Sequence, residues 1–458
     1  MEMYAIGWGK IAGPCDYKVG LGELSEEEEE LVLKCADEFA NRAKTQEIRS
    51  EEAALVAAYE IVDFVCGAEG IELDSDQRDY ISNYVMLHSW GFAFLQILLK
   101  DKKIEEIAVL GLGKPAYVYI RGAGWKQTDF GFSSENSYID AINKMSRTLG
   151  RRITYQNPRL NAILPDGTRL HASIPPVSKF EITLRKFSAN PITAPQLAIL
   201  KTVSAEALAF LWLAMQSDSN ILIAGNTASG KTTTLNALFN FIPLNERIVV
   251  LEETPEINIP HPHMTRMIAV AELGIAMQDL VADSLRMRPD RVIVGEVRTR
   301  QETEGFIESI LSGQARGTYA TYHAKSAKEA VLRMKSCGVL EIDIPAIDLI
   351  VVQRRIGRYE KGKGIVESRR IVQISQPGTD EPEKVDDLFI YDYKKDCLCM
   401  NPDKKAVCAT RIWQKLRNTF DMGDEELFAE IKKREKKVTE MGKKGLDMEK
   451  VVKEVKEH

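Results

Sequence analysis

Gly225-Asn226-Thr227-Ala228-Ser229-Gly230-Lys231-Thr232 decides how this chain is read, because it has the spacing Gly-x-x-x-x-Gly-Lys-Thr. Before it stands an apolar run of strand character, Asn220 to Gly225; after it, Lys231 to Ile242 has helical character. A glycine-rich turn in that position lets backbone N–H groups point inward around phosphate oxygens, and the helix N-terminus adds partial positive charge. Lys231 then offers a point charge to the β and γ phosphates, and Thr232 offers a hydroxyl to Mg²⁺. Thr233 completes the candidate phosphate-binding set.

Outward from this turn, helices and strands alternate. The order is a helix at Ala205–Gln216, the strand before the turn, the helix after it, a strand at Arg247–Glu253, and a helix at Ala276–Met287. A strand at Asp290–Glu296, a helix at Thr303–Gly313 and a strand at Gly317–Ala324 follow. Such alternation predicts an α/β fold with a mostly parallel sheet and helices on both faces. Functional side chains are then expected at the carboxyl ends of the strands.

Three elements place chemistry there. Glu296 ends the strand Val292-Ile293-Val294-Gly295-Glu296, where it can orient or deprotonate an attacking water, or simply pair with Arg298. Gly295 occupies the place where an Asp commonly touches the metal's water shell. Glu252-Glu253-Thr254-Pro255-Glu256 brings further carboxylates to the same edge, a crowding that favours a divalent cation. Glu252 and Glu253 are expected to hold the metal's waters, and Glu256 to be structural. His323 ends the strand Gly317-Thr318-Tyr319-Ala320-Thr321-Tyr322 and is placed to sense a γ phosphate, or to be a satisfied structural histidine.

The rest of the chain supplies context. At 458 residues the protein is long enough for two or three domains. With 44% hydrophobic and 28% charged residues it has ample apolar material to bury and no disordered signature. Its net charge of −6 gives no global attraction for nucleic acid or anionic lipid, so a stable nucleic-acid complex is not expected. Seven scattered cysteines and an N-terminus without a signal-peptide pattern favour a reducing cytoplasm. Cys397, Cys399 and Cys408 have poor spacing for zinc, and no metal is expected there.

The uncharged run Tyr80–Leu99 has the length of a membrane span, but its Ser, Asn, His and Gln residues favour a buried soluble helix. Ser25–Gly67 has helical character, Leu31, Val32, Cys35 and Phe39 marking its apolar face. Ile104–Ile120 has the pattern of a hairpin, a helix is expected at about Ser137–Leu149, and short strands follow to Phe187. Two prolines in Ser188–Pro195 mark a linker. The expected organisation is a mostly helical subdomain at 1–99, a second α/β subdomain at 100–190, the phosphate-binding domain at 191–375 and a charged, partly helical extension at 376–458. Its last forty residues are expected to be solvated helices.

Together, GNTASGKT, VVLEETPE, RPDRVIVGEVR and GTYATYHA resemble, in this order, the Walker A motif, "Asp box", atypical Walker B motif and His box of the secretion-superfamily ATPases. These are the motors of type II and type IV secretion, pilus assembly and the archaellum, and the archaeal-type branch is nearest. The resemblance covers about Lys100 to Arg358. It departs from the family where Gly313 is followed by Gln314 rather than by His. The resemblance implies a RecA-like P-loop motor domain preceded by a smaller α+β N-terminal domain, assembled as a homohexamer with ATP and Mg²⁺ as cofactors.

It further implies that Arg169 and Arg185, in the matching N-terminal positions, reach the phosphates. The partner it implies is an integral membrane platform protein, with the ring in the cytoplasm in peripheral contact with the inner face of the membrane. The work implied is protein secretion or assembly of a type IV pilus-like filament. Translocation of nucleic acid by a hexameric ATPase is the alternative.

Overall fold

The computed structural model describes residues 6–120, 123–186, 191–270, 273–360, 362 and 364–457. They form two compact units, Met1–Ser188 and Ala189–His458.

The first unit begins with β1 (Trp8–Lys10), α1 (Glu26–Arg42), α2 (Glu51–Glu69), α3 (Ser75–Ser89) and α4 (Leu95–Lys100). It continues with β2 (Ile104–Leu110), β3 (Tyr117–Ile120), β4 (Gly124–Gln127), β5 (Phe130–Phe132) and α5 (Glu135–Ser146), then β6 (Arg159–Ile163), β7 (Arg169–Ser173) and β8 (Glu181–Arg185). Ser25 and Glu28 close a capping box at the start of α1, whose buried face is Leu31, Val32, Cys35 and Phe39, as its periodicity predicts. One helical stretch from Ser25 to Gly67 becomes two, because the polar segment after Arg42 runs to Ser50, which caps α2.

The uncharged run at Tyr80–Leu99 likewise divides between α3 and α4, at a turn where Ala93 has φ 55°. No helix among the described residues is long and apolar enough to cross a membrane. The hairpin predicted at Ile104–Ile120 is present as β2 and β3, inside a sheet ordered β4-β3-β2-β8-β7-β6.

The second unit opens with α6 (Ala194–Ile199), α7 (Ala205–Gln216), β9 (Ile221–Gly225), α8 (Lys231–Leu238), β10 (Ile248–Glu252) and β11 (Met264–Ile268). Then come α9 (Met277–Ser284), β12 (Arg291–Val297), α10 (Arg300–Leu311), β13 (Gly317–Tyr322) and α11 (Ala327–Ser336). It closes with β14 (Leu349–Glu360), β15 (Gly364–Gln376), β16 (Asp386–Asp392), β17 (Cys397–Met400), α12 (Lys404–Ala409), α13 (Arg411–Phe420), α14 (Asp424–Lys444) and α15 (Met448–Lys456). Of the linker expected at Ser188–Pro195, residues 188–190 lie outside the described residues. Pro195 instead belongs to the first turn of α6, where a missing N–H costs nothing.

The sheet runs β11-β10-β12-β13-β9-β14-β15-β16-β17. The strands from β11 to β14 are parallel, and β15 to β17 continue antiparallel. Because β13 separates β9 from β12, the turn after β9 and the ends of β12 and β13 open onto one edge. Residues alternate between two cores. Ile221 and Ile223 of β9 pack with α7 and the C-terminal helices, whereas Leu222 and Ala224 pack with α9, α10 and α11. Burial of both faces explains why these strands are apolar throughout. The fold is thus α/β and RecA-like, with a mostly parallel sheet.

The C-terminal residues correct one expectation. β16 and β17 extend the main sheet, and the last helices are not solvated all round. Leu427, Ile431, Val438 and Met441 of α14, with Val451 and Val455 of α15, join the core around α7. Arg434 lies over the Trp212 ring at 4.7 Å and bonds Glu430 at 2.8 Å and Gln216 at 2.7 Å. Dense Lys and Glu on the outer face mask an apolar stripe of helical period on the inner one.

Candidate active site

The loop Gly225–Thr232 joins the end of β9 to the start of α8 as its spacing predicts. Gly230 has φ +97° and caps α8, a conformation side-chain-bearing residues avoid. Lys231 is 6% exposed, its Nζ donating to the Asn226 carbonyl at 3.3 Å and standing 4.0 Å from Glu296 Oε1. Burial pulls its pKa below the ordinary lysine value, opposed by Glu296 and Glu256. Ser229 Oγ is buried without a hydrogen-bond partner among the described residues. Thr233 follows in the first turn of α8, half-buried.

The acidic segment sends Glu252 and Glu256 in different directions. Glu252, at the end of β10, is 1% exposed. Its Oε1 accepts the N–H groups of Glu256 (2.6 Å) and Ile257 (2.9 Å), and Oε2 faces Arg266 Nε at 3.1 Å. Oε1 is therefore engaged in folding the loop back, and burial raises the Glu252 pKa. Glu256, expected to be structural, is delivered to the phosphate loop, where Thr232 Oγ1 donates to its Oε2 at 2.6 Å. Asn236 of α8 pins that loop through the Glu256 carbonyl (3.1 Å) and the Asn258 N–H (3.0 Å). Glu253 points elsewhere, half exposed and 4.0 Å from Arg298 Nη1. Burial raises its pKa, and the Glu302 carboxyl adds to the shift.

Glu296 is brought to the loop by an irregularity in the β12–β13 register between Val294 and Glu296. The Thr321 hydroxyl secures it by donating to the Gly295 carbonyl at 2.8 Å. Gly295 is required by close approach, since a Cβ there would meet Glu252 Cγ at 2.8 Å. One Glu296 oxygen bonds Arg298, the partner considered from sequence, and the other bonds His323 Nε2, a contact the sequence did not suggest. Burial pushes the Glu296 pKa up, but the hydrogen bond and charge of Arg298, with His323, outweigh it and hold it below the usual carboxylate value.

If Glu296 acts as a base, its activity persists to acid pH. Arg298→Ala is then expected to shift the acidic limb of the kcat profile to higher pH, because burial is left less opposed. A pH–rate comparison of the two proteins reads this shift.

Arg169 and Arg185 lie in the first unit, directly opposite each other on β7 and β8. Sequence reasoning missed Glu256 as a loop contact, because the turn through Pro255 that aims it leaves no periodic signal. It also missed Gln353 of β14, whose Oε1 accepts the Thr234 hydroxyl at 2.7 Å.

A glycine-rich loop at the end of one parallel strand, with an acidic residue two strands away on the same edge, is the arrangement of the RecA-like class of P-loop folds. The family model for type II/IV secretion system proteins matches residues 92–386, more than half of the chain, and the chain belongs to that family. Two uncharacterised proteins of Methanocaldococcus jannaschii are similar. One is 34% identical over 50% of this chain and 36% of its own length. The other is 30% identical over 77% of this chain and 62% of its own. The chain thus spans less than two thirds of either relative.

The type IV secretion system protein VirB11 of Bartonella quintana is 30% identical over 58% of this chain and 89% of its own length. Among solved structures, the pilus retraction motor PilT with bound ADP aligns with a TM-score of 0.45 and 19% identity, covering 69% of this chain and 84% of that one.

Proposed function

We propose that this chain hydrolyses Mg·ATP to power protein secretion or assembly of a type IV pilus-like filament. It would act as a ring of six subunits at the inner face of the cell membrane, engaging an integral membrane platform protein. The observation that carries the reading is the placing of Glu296 4.0 Å from the buried Lys231 at the phosphate loop, in a chain of the type II/IV secretion family.

In this reading the loop N–H groups and Lys231 bind the triphosphate. Glu296 takes a proton from water as the water oxygen bonds to the γ phosphorus and the bond to the ADP oxygen breaks. Thr232 and Glu256, hard oxygen donors 2.6 Å apart, suit Mg²⁺. When bound, Mg²⁺ neutralises charge on the phosphates. His323 couples Glu296 to the end of β13, and Arg169 and Arg185 are proposed to stabilise the transferred phosphoryl charge.

Phosphate release from Mg·ATP tests the reading, measured with added anionic phospholipid vesicles or with single-stranded DNA. Stimulation by vesicles is expected. Stimulation by DNA that collapses with added salt would instead establish a nucleic-acid motor. Light scattering with a non-hydrolysable ATP analogue is expected to give six subunits.

A further inference from the structure

We infer that Arg369 is a positioning residue of the nucleotide site, holding the phosphate loop in its receptive shape from the outside. The inference rests on the reading of that loop as an ATP site. β14 lies beside β9 with Gln353 opposite Gly225, and β15 pairs with β14, setting Arg369 opposite Arg355. This hairpin therefore brings a side chain from a strand two places away onto the loop. Arg369 Nε donates to the carbonyl of Ala228 at 3.1 Å.

Ala228 is the loop residue that most needs such a hold. Its φ of 59° is a conformation that alanine adopts at a cost and that surrounding contacts must maintain. The Arg369 stem also covers Gly230: a Cβ there would meet Arg369 Cδ at 3.3 Å and Gln353 Nε2 at 3.0 Å. Pinned at Ala228 and backed at Gly230, the loop is held in its present shape before any ligand arrives.

The charge of Arg369 points the same way. Two arginines directly opposite on a hairpin repel. Arg355 is neutralised by Glu367, to which its Nε donates at 2.8 Å. Arg369 has no carboxylate within ion-pair distance among the described residues, so its guanidinium remains an uncompensated cation beside a phosphate loop. Its side chain is otherwise exposed, and its removal leaves the core intact.

Because Arg369 bonds a loop carbonyl rather than a reacting atom, its effect falls on ATP binding and not on the chemical step. In the full chain, Arg369→Ala is expected to raise KM for Mg·ATP about tenfold, the scale of one charge-assisted hydrogen bond, with kcat within about twofold and Tm within a degree or two. Arg369→Lys, which keeps the charge and the covering stem but loses the Nε donor, is expected to lie between the two. Equal KM in Arg369→Ala and the unaltered protein would overturn the inference. So would a joint fall in Tm, kcat and affinity, which marks a merely structural residue. Failure of the unaltered protein to bind ATP would overturn the functional reading itself, a result distinct from either.

Discussion

Glu296→Gln is expected to lower kcat for ATP hydrolysis by about 10²- to 10⁴-fold, the range attributed to a positioned general base, while ATP affinity changes only a few-fold. The amide keeps the size of the carboxylate, and its one carbonyl oxygen can still accept from Arg298 or from His323, which contact separate oxygens of this side chain. What it loses is the capacity to take a proton. In the structure the carboxylate is held below its usual pKa, with burial resisting and Arg298 and His323 prevailing. It is therefore ionised at neutral pH but engaged at both oxygens, and turnover requires at least one of these bonds to be exchanged for water. Steady-state turnover and equilibrium ATP binding, measured on the same preparation, separate the two effects.

Lys231→Ala is expected to act earlier, at binding. The ammonium is 6% exposed and lies against the Asn226 carbonyl and Glu296. Its loss removes a charge-assisted contact to phosphate, a contribution of about 1.5–3 kcal/mol, which corresponds to roughly 10- to 100-fold in affinity. It also removes the buried cation that stands 4.0 Å from the Glu296 carboxylate. Turnover is then expected to fall by more than affinity, because charge on the leaving phosphates grows during the reaction. Titration of a fluorescent ATP analogue, with phosphate release in parallel, checks both magnitudes.

What the sequence made legible follows from how each element is stabilised. β9, β10, β12 and β13 are buried on both faces, so they read as apolar runs. The glycine–lysine spacing marks the loop between β9 and α8. β11 escaped notice because Met264–Ile268 is only partly buried and carries Arg266. β14 and β15 were hidden differently. Beyond Gln353 they pair only with each other, and charged residues such as Arg355 and Glu367 face water there. A ribbon held by its own backbone bonds needs no apolar pattern.

The site shows the same division. Lys231, Thr232, Glu296 and His323 lie at predictable strand and helix ends. The choice between Glu252 and Glu256 depends on how a four-residue turn folds back. The decisive bonds there, from the Glu256 and Ile257 N–H groups to Glu252, belong to the backbone. Arg369 reaches the loop only through the register of a hairpin, which no local motif encodes.

A structure of the chain with Mg²⁺ and a non-hydrolysable ATP analogue is the most direct test of the central claim. The account predicts the β and γ phosphates inside the Gly225–Thr232 turn, Lys231 Nζ on them, and the Thr232 hydroxyl turned from Glu256 to the metal. Glu296 should have at least one oxygen freed toward water at the γ phosphorus. A nucleotide bound elsewhere, or one bound in the turn with Glu296 directed away from the γ phosphate, would contradict it.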